Sequence, residues 1–421
     1  MAARTWLLTV HSGKLYTRGM NSAGFDHGPL GDVRVLELGT LLAGPFCGQL
    51  LGDMGAEVIK IEPPGQGDPM RNWGRQKEGE PSLWWPVIAR NKQAITLDLR
   101  QADGQKLLLD LAAKSDILVE NFRPGTLEKW NLGWEQLSAA NPRLVMVRVS
   151  GYGQTGPYAG RAGFGAIGEA MGGLRYVVGD PVAPPSRVGI SIGDALAATF
   201  ACVGALSALH YREKSGRGQV VDSAIYEAVL GMMESLVTEY DQTGYIRERT
   251  GPILPNVAPS NVYPSRDGLV LIAANQDTVF RRLCEAMGEP ALADDARYVS
   301  HQSRGANQQV LDERIAAWTA GLTAREVLSL MERHGVPAGQ IYRAPEMLED
   351  PHFTAREAIV AVPHPQFGRL RMQNVVPKLS ATPGGIRRPS PALGEHNDEV
   401  YRGLLGLPRD RYDALKAARV I

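Results

Sequence analysis

A single aspartate, Asp194, interrupts the segment Gly189 to Ala198, GISIGDALAA, where a glycine turn passes into an almost wholly apolar run from Ala195 to Leu209. A carboxylate in that position is a candidate nucleophile, because the unpaired N–H groups of a helix start favour negative charge and keep it ionised and orientable. The same placement suits a plain N-cap aspartate that closes the helix and does nothing more. Gly189, Ser191 and Gly193 also match G-x-S-x-G, the nucleophile elbow of hydrolases, with Ser191 as the attacking group. An elbow needs a strand leading into it, and the approach through Pro181, Pro184 and Pro185 leaves only Arg187 and Val188 to extend. Asp194 is therefore preferred to Ser191.

Such a residue must be held by a framework, and from Asp32 the pattern alternates strand and helix. Val33 to Leu38, Ala56 to Ile61, Ala94 to Leu99, Ile117 to Val119 and Leu144 to Val149 read as strands; Phe46 to Asp53, behind Pro45, and Gln105 to Ala113 read as helices. That alternation predicts an α/β, Rossmann-like large domain with a largely parallel, buried sheet. Two G-x-G-x-x-G matches, Gly151-Gly153-Gly156 and Gly163-Gly165-Gly168, invite a dinucleotide site. The first runs into Pro157 and Gly160 instead of a helix, and the second follows no strand, so both are read as loops where backbone approaches a ligand. After a helical run from Ile225 to Tyr240 the stretch Thr250 to Ser265 is rich in Pro, Asn and Ser. A smaller α/β domain follows, with a strand over Leu269 to Ala274 and helices over Val279 to Met287, Gln308 to Trp318 and Ala324 to His334. Strands over Ala358 to Val362 and Leu370 to Met372 precede Pro-rich coil and a closing helical tail. The division is an N-terminal extension (1–28), a large domain beginning at 29–225, a linking helix and loop (226–255), the small domain (256–350) and a return to the large domain (351–421).

With 421 residues and 44% apolar content there is material for a core in each domain. The net charge of zero gives no reason to expect nucleic acid, and no apolar stretch is read as long enough to span a bilayer. Cys47, Cys202 and Cys284 are few, scattered and odd in number, which fits a reducing, cytoplasmic setting and supplies neither disulfides nor a metal cluster. Before Asp26 the only charges are Arg4, Lys14 and Arg18, among Ser and Thr, a composition shared by mitochondrial transit peptides. A start at Met20 is the preferred reading, because the apolar residues before it show little helical periodicity.

Six segments in order carry a resemblance that runs through nearly the whole chain from Gly28. They are AGPFCGQLLGDMGAEVIKIEPPGQGDPMR, NKQAITLDLR, DILVENFRPGTLEKW, SGYGQTGPYAGRAGF, GISIGDALAA and REKSGRGQVVDSAIYEAV. The chain resembles the class III CoA-transferases. The resemblance implies an interlocked homodimer, with a Rossmann-like large domain built from both chain ends and a small domain between. It puts the nucleophile at Asp194 and contacts to CoA at Leu42 and Ala43, at Leu97, Asp98 and Arg100, at Asn121, Phe122 and Arg123, at Lys129 and at Arg161. No permanently bound cofactor and no metal are implied; the coenzyme A thioester is itself a substrate.

A carboxylate suits that role. CoA transfer between two acids is nearly thermoneutral, so the enzyme need only keep the acyl group activated while partners change. Attack of Asp194 on a thioester gives a mixed anhydride, the released thiolate converts it to an aspartyl-CoA thioester, and an acceptor acid reverses the steps. Serine is a poorer choice, because its ester lacks the reactivity of an anhydride. Oxyanions need N–H donors, which glycine loops offer, and water must be excluded.

Arg100, Arg123, Lys129 and Arg161 are suited to the phosphates of CoA; taken alone each is more often a solvated surface charge, and with the resemblance Arg123 and Arg161 are favoured. Asn121 and Phe122 can also be read as a strand end and a core plug. An arginine found near Pro63 and Pro64 in formyl-CoA transferase is absent here, leaving Arg71 or Arg75 as substitutes, and that enzyme's long glycine loop has no counterpart between Thr250 and Ser265. Racemases of the superfamily carry a His-Asp pair after their R-A-G motif; here Arg161-Ala162-Gly163 leads to Phe164, which moves no proton, so transfer is favoured over racemisation. None of the eight histidines offers another base, and His210 on the apolar run reads as a packed or surface residue. The middle segment resembles members that use succinyl-CoA with malate, citramalate, mesaconate or glutarate. Arg247 and Arg249 can bind the distal carboxylate of such an acid or serve as linker charges.

Overall fold

The computed structural model describes residues 28–74 and 81–421. The expectations for the N-terminal extension and for Arg75 fall outside these residues. Six strands form one parallel sheet in the order β3-β2-β1-β4-β5-β6, the order of the doubly wound nucleotide-binding sheet. They are β1 (Arg34–Glu37), β2 (Glu57–Glu62), β3 (Lys92–Thr96), β4 (Ile117–Glu120), β5 (Val145–Ser150) and β6 (Val220–Ala224). Their register pairs Leu36 with Ile59 and with Leu118 across β1. Both faces of β1, β2, β4 and β5 are covered, which explains why these strands are largely apolar. Leu36, Ile59, Leu118 and Met146 enter one core with the helix Ala102–Ala112 and with Tyr401, Tyr412 and Leu415 from the end of the chain. Val35, Val58, Val119 and Val147 point to the other, shared with the helix Ala43–Asp53 and the long helix Ile192–Ser215.

The long helix carries Asp194. Ala197, Ala201, Ala205 and Ala208 recur at helical spacing and are buried, so small side chains let its backbone lie close to the helix Ala43–Asp53 and to β5 and β6. Its opposite face leaves Phe200, Val203 and Leu206 exposed. The last stretch of chain covers the open edge of the sheet: His396 N–H donates to Ala94 O at 2.9 Å, and Asn397 Oδ1 accepts from Thr96 N–H at 2.8 Å. A separate antiparallel sheet, β7 (Ser260–Ser265), β8 (Gly268–Ala273) and β9 (Ala338–Gln340), packs with helices Asp277–Ala286, Gln308–Ala320 and Ala324–His334 around Phe280, Leu283 and Met331. A hairpin of β10 (Ile359–His364) and β11 (Gly368–Gln373) follows.

Three expectations are corrected. Val220–Ala224 is a strand that periodicity did not single out, because Asp222 interrupts an edge strand whose first residues are exposed. The run from Ile225 to Tyr240 is two helices, Ile225–Leu230 and a second starting at Leu236, separated by a turn in which Glu234 takes φ of +53°. The helix Ile192–Ser215, with 24 residues, is long and apolar enough by length and composition to cross a membrane, contrary to the reading that no stretch is.

Candidate active site

Asp194 is the third residue of its helix, and the N-cap is Ser191. The N-cap reading of Asp194 is thus corrected. Its carboxylate is half-buried and accepts the backbone N–H of Gly165, the first residue of the helix Gly165–Met171. A methyl group on Gly165 would overlap that carboxylate, so glycine is what lets the two helix starts meet. The helix field does not decide the ionisation of Asp194. Burial, with the charge of Glu169 adding to it, pushes its carboxyl up to about 6, against opposing help from Arg187 and the Gly165 N–H. At neutral pH the group is still mostly ionised, and it is more basic than an exposed aspartate.

Ser191 follows no strand, and its hydroxyl accepts from Arg187 at 3.1 Å with no base as partner. The elbow reading has no structural support among the described residues.

The residues expected to hold CoA all follow the C-terminal ends of parallel strands, where doubly wound sheets bind ligands. Leu42 and Ala43 follow β1, Leu97 to Arg100 follow β3, Asn121 to Lys129 follow β4 and Arg161 follows β5. The turn after β1 and the loop after β4, on either side of the point where the strand order reverses, are tied together by one side chain. Asn121 accepts from Thr40 N–H at 2.8 Å and donates to Thr40 O at 2.9 Å. Asn121 is thus more than a strand end. Phe122 stacks edge-on against Trp130 at the rim of the core, and Leu97 is buried within it. Arg123, Lys129 and Arg161 are exposed, the last with its guanidinium 3.6 Å over the ring of Tyr158. Arg100 is exposed but bonded to Asp98 at 2.8 Å, and this guanidinium bond holds the Asp98 carboxyl below its usual range.

Several other cations are committed elsewhere. Arg71 bonds Glu62 at 2.7 Å and lies 3.8 Å over the ring of Trp85, so it braces its own loop. Arg247 bridges Glu234 and Glu239, and Arg249 bonds the backbone oxygens of Tyr176 and Asp180. His210 is exposed on the long helix. Phe164, 69% exposed, immediately precedes Gly165.

The model of CoA-transferase family III matches residues 30–397. The chain belongs to CoA-transferase family III. It is 62% identical over 394 residues, 93% of this chain and 98% of the relative, to a succinyl-CoA–D-citramalate CoA-transferase of Chloroflexus aurantiacus. A succinyl-CoA–L-malate CoA-transferase beta subunit of the same organism is 42% identical over 93% of this chain and 98% of its own length. Among solved structures, a CAIB/BAIF family protein from Brucella suis has a TM-score of 0.80 at 33% identity, covering 90% of this chain and all of that one.

Two parts of the candidate site of this transferase escaped sequence reasoning. Glu169, 1% exposed, lies four residues beyond Gly165 on the face that also bears Gly168 and Gly172, and it pairs with Arg175 at 2.8 Å. A charged residue on a helix stripe of glycines was the available signal. The second is a buried ionic cluster under the turn after β1. Lys60 bonds Asp68 at 2.7 Å and Gly39 O, and Asp68 in turn accepts from Leu41 N–H at 3.0 Å. Burial works against both charges, yet the Lys60 ammonium holds the Asp68 carboxyl below its usual range, while Asp68, Glu37 and Glu62 hold Lys60 above its own. Lys60 and Asp68 fall in IKIEPPGQGD, where a lone lysine in an apolar strand marks a buried charge in need of a partner.

Proposed function

We propose that this transferase moves CoA from succinyl-CoA to a small dicarboxylic or hydroxydicarboxylic acid of the citramalate and malate type, through an aspartyl-CoA thioester on Asp194. The observation that carries the reading is the 62% identity with the D-citramalate enzyme over nearly its full length. The setting of Asp194 suits the chemistry. A carboxylate with its pKa near 6 is available at neutral pH and more nucleophilic than an exposed one.

Asp194 attacks the succinyl carbonyl, the C–S bond breaks and the CoA thiolate leaves with the electron pair. The thiolate then attacks the aspartyl carbonyl and succinate departs. The acceptor carboxylate attacks the aspartyl-CoA carbonyl and expels the CoA thiolate to give a second anhydride, and the thiolate then attacks the acceptor's acyl carbon, so that the Asp194 carboxylate leaves with the electron pair. No proton is consumed. Backbone N–H groups of the glycine loops are the candidate donors to each oxyanion. Arg123, Lys129 and Arg161, without carboxylate partners among the described residues, are the candidates for the phosphates of CoA, and Arg100 contributes less because Asp98 already holds it.

The working form is read as a homodimer, interlocked as the family resemblance implies. Phe164, Ile190, Phe200 and Val203 are exposed around and along the helix that begins beside Asp194, and a second copy laid over them keeps water from the anhydride. In this reading Arg247 ties its loop to Glu234 and Glu239 and Arg249 ties it to Tyr176 and Asp180, which leaves recognition of the distal carboxylate to other groups.

The test is intact-protein mass spectrometry after exposure to succinyl-CoA, with and without a panel of acids. A CoA adduct that vanishes in Asp194→Ala and is discharged by citramalate or malate supports the reading. Its absence, or release of free CoA without acceptor, sinks it.

A further inference from the structure

The helix that carries Asp194 begins without a cap of its own: Ser191 stands at the N-cap and makes no side-chain bond to the first turn. The carboxylate that reaches this turn comes from another helix. Glu169 Oε1 accepts from Gly193 N–H at 3.5 Å, and its other oxygen accepts from Arg175 at 2.8 Å. A Cβ at Gly193 would lie 3.0 Å from the Glu169 side chain, so glycine allows the approach. The same helix offers Gly165 N–H to Asp194. One short element therefore gives the nucleophile a hydrogen bond and places a second carboxylate beside it.

We infer that Glu169 is a positioning residue for the nucleophile: it caps the Asp194 helix from outside and, paired with Arg175, sets a carboxylate beside Asp194 whose repulsion is relieved when Asp194 is acylated. This rests on the proposed aspartyl-CoA chemistry. In the step that forms the thioester, the Asp194 oxygen bonds the acyl carbon and thiolate leaves, then sulfur bonds the Asp194 carbon and succinate leaves with the electron pair. The charge that began on Asp194 ends on succinate in solvent. A neighbouring charge that disfavours the free carboxylate and leaves the neutral thioester untouched shifts this exchange toward the acyl-enzyme.

Other ionisable groups on the packing elements are engaged elsewhere. Asp53 bonds Arg90, Arg148 bonds Glu120 and Glu128, Asp222 accepts from Gln154 N–H, Glu227 accepts from Tyr226, and Cys47 is a buried thiol that burial holds protonated. Arg187, which acts on Asp194 from the preceding loop, opposes Glu169.

Glu169→Gln keeps an acceptor for Gly193 and removes the charge. At a fixed ratio of succinyl-CoA to succinate, the adduct-to-free ratio in the intact mass spectrum is expected to fall by on the order of three- to tenfold, and the acid limb of kcat/KM to move down by roughly half to one pH unit. Arg175→Gln removes the counter-ion and is expected to move the limb up; it also carries the test if Glu169→Gln does not fold. The same substrates are used throughout, so their own titration cancels. Opposite shifts support the proposal, because a purely structural loss moves both variants alike. Unmoved limbs and adduct levels, or shifts in one direction, overturn it while leaving the wild-type adduct and the proposed function standing. A wild-type enzyme that never carries CoA overturns both.

Discussion

The α-carbon of Gly165 and the carboxylate of Asp194 are in such close contact that no side chain fits between them. Gly165 opens a helix without a positive φ, so alanine there is acceptable to the backbone and offends only Asp194. Gly165→Ala is expected to lower kcat by on the order of a hundredfold, because small misplacement of a reacting group has that cost. Its melting temperature should stay close to wild type. Steady-state kinetics beside a thermal melt check this; a variant with normal kcat would show that the contact is dispensable.

The carboxyl of Asp194, raised to about 6, sets two pH dependences. With Asp194 as the proposed nucleophile, activity needs its ionised form, so kcat/KM should fall as pH drops through about 6. Stability runs the other way. The folded protein holds this proton more tightly than the unfolded chain, so the stability the group contributes is full below about 4 and lost as pH rises through about 6. Asp194→Asn, neutral throughout, should therefore be more stable than wild type at pH 7.5, by on the order of 2–3 kcal/mol, with the gap closing toward pH 4. Denaturant unfolding of both proteins at the two pH values measures it.

Surface cations with no carboxylate partner among the described residues, if they meet the phosphates of CoA as proposed, act mainly on binding. Arg123→Gln, Lys129→Gln and Arg161→Gln are each expected to raise KM for succinyl-CoA by about three- to tenfold with kcat nearly unchanged. Arg100→Gln should do less, since its guanidinium is already satisfied by Asp98. Initial-rate kinetics at two salt concentrations separate these from folding defects: the wild-type KM should rise with salt more steeply than that of any effective variant.

Asn121 holds two loops together with a donor and an acceptor aimed at one residue, Thr40. Asn121→Ala leaves both backbone groups without that partner and is expected to cost about 1–3 kcal/mol of stability. If the turn after β1 forms part of the CoA site, KM for the acyl-CoA rises in the same variant. Calorimetry and kinetics on one preparation test the coupling.

If the working form is the proposed homodimer, the apolar face of the long helix is the surface to test. Phe200→Asp combined with Val203→Asp places two charges at exposed positions, where an isolated chain would tolerate them. Loss of a dimer in sedimentation velocity, with loss of activity, is the expected result. A monomeric wild type would remove the basis for this prediction.

The sheet was legible because its strands are buried on both faces and so spell continuous apolar runs; β1, β2, β4 and β5 fall close to where the runs of Val, Ile and Leu do. β6 escaped because an edge strand with Asp222 has no such run. Asp194 could be found from its glycine turn and apolar helix, but its ionisation could not. Local reading credits the helix start, whereas burial and Glu169, 25 positions away by chain numbering, dominate. Glu169 and Asp68 stayed hidden for the same reason, since their partners, Gly193 and Leu41, are brought near only by the fold.

The cover over β3 has a consequence for biosynthesis. His396, which supplies ring and backbone bonds to Ala94, lies 302 positions farther along the chain. While a ribosome is still producing the intervening residues, the outermost strand has only one neighbour, and its bare margin is open to pairing with other nascent chains. Folding of the large sheet is thus finished by some of the latest residues to emerge, and a chaperone that shields this margin in the interval should raise the yield of soluble protein.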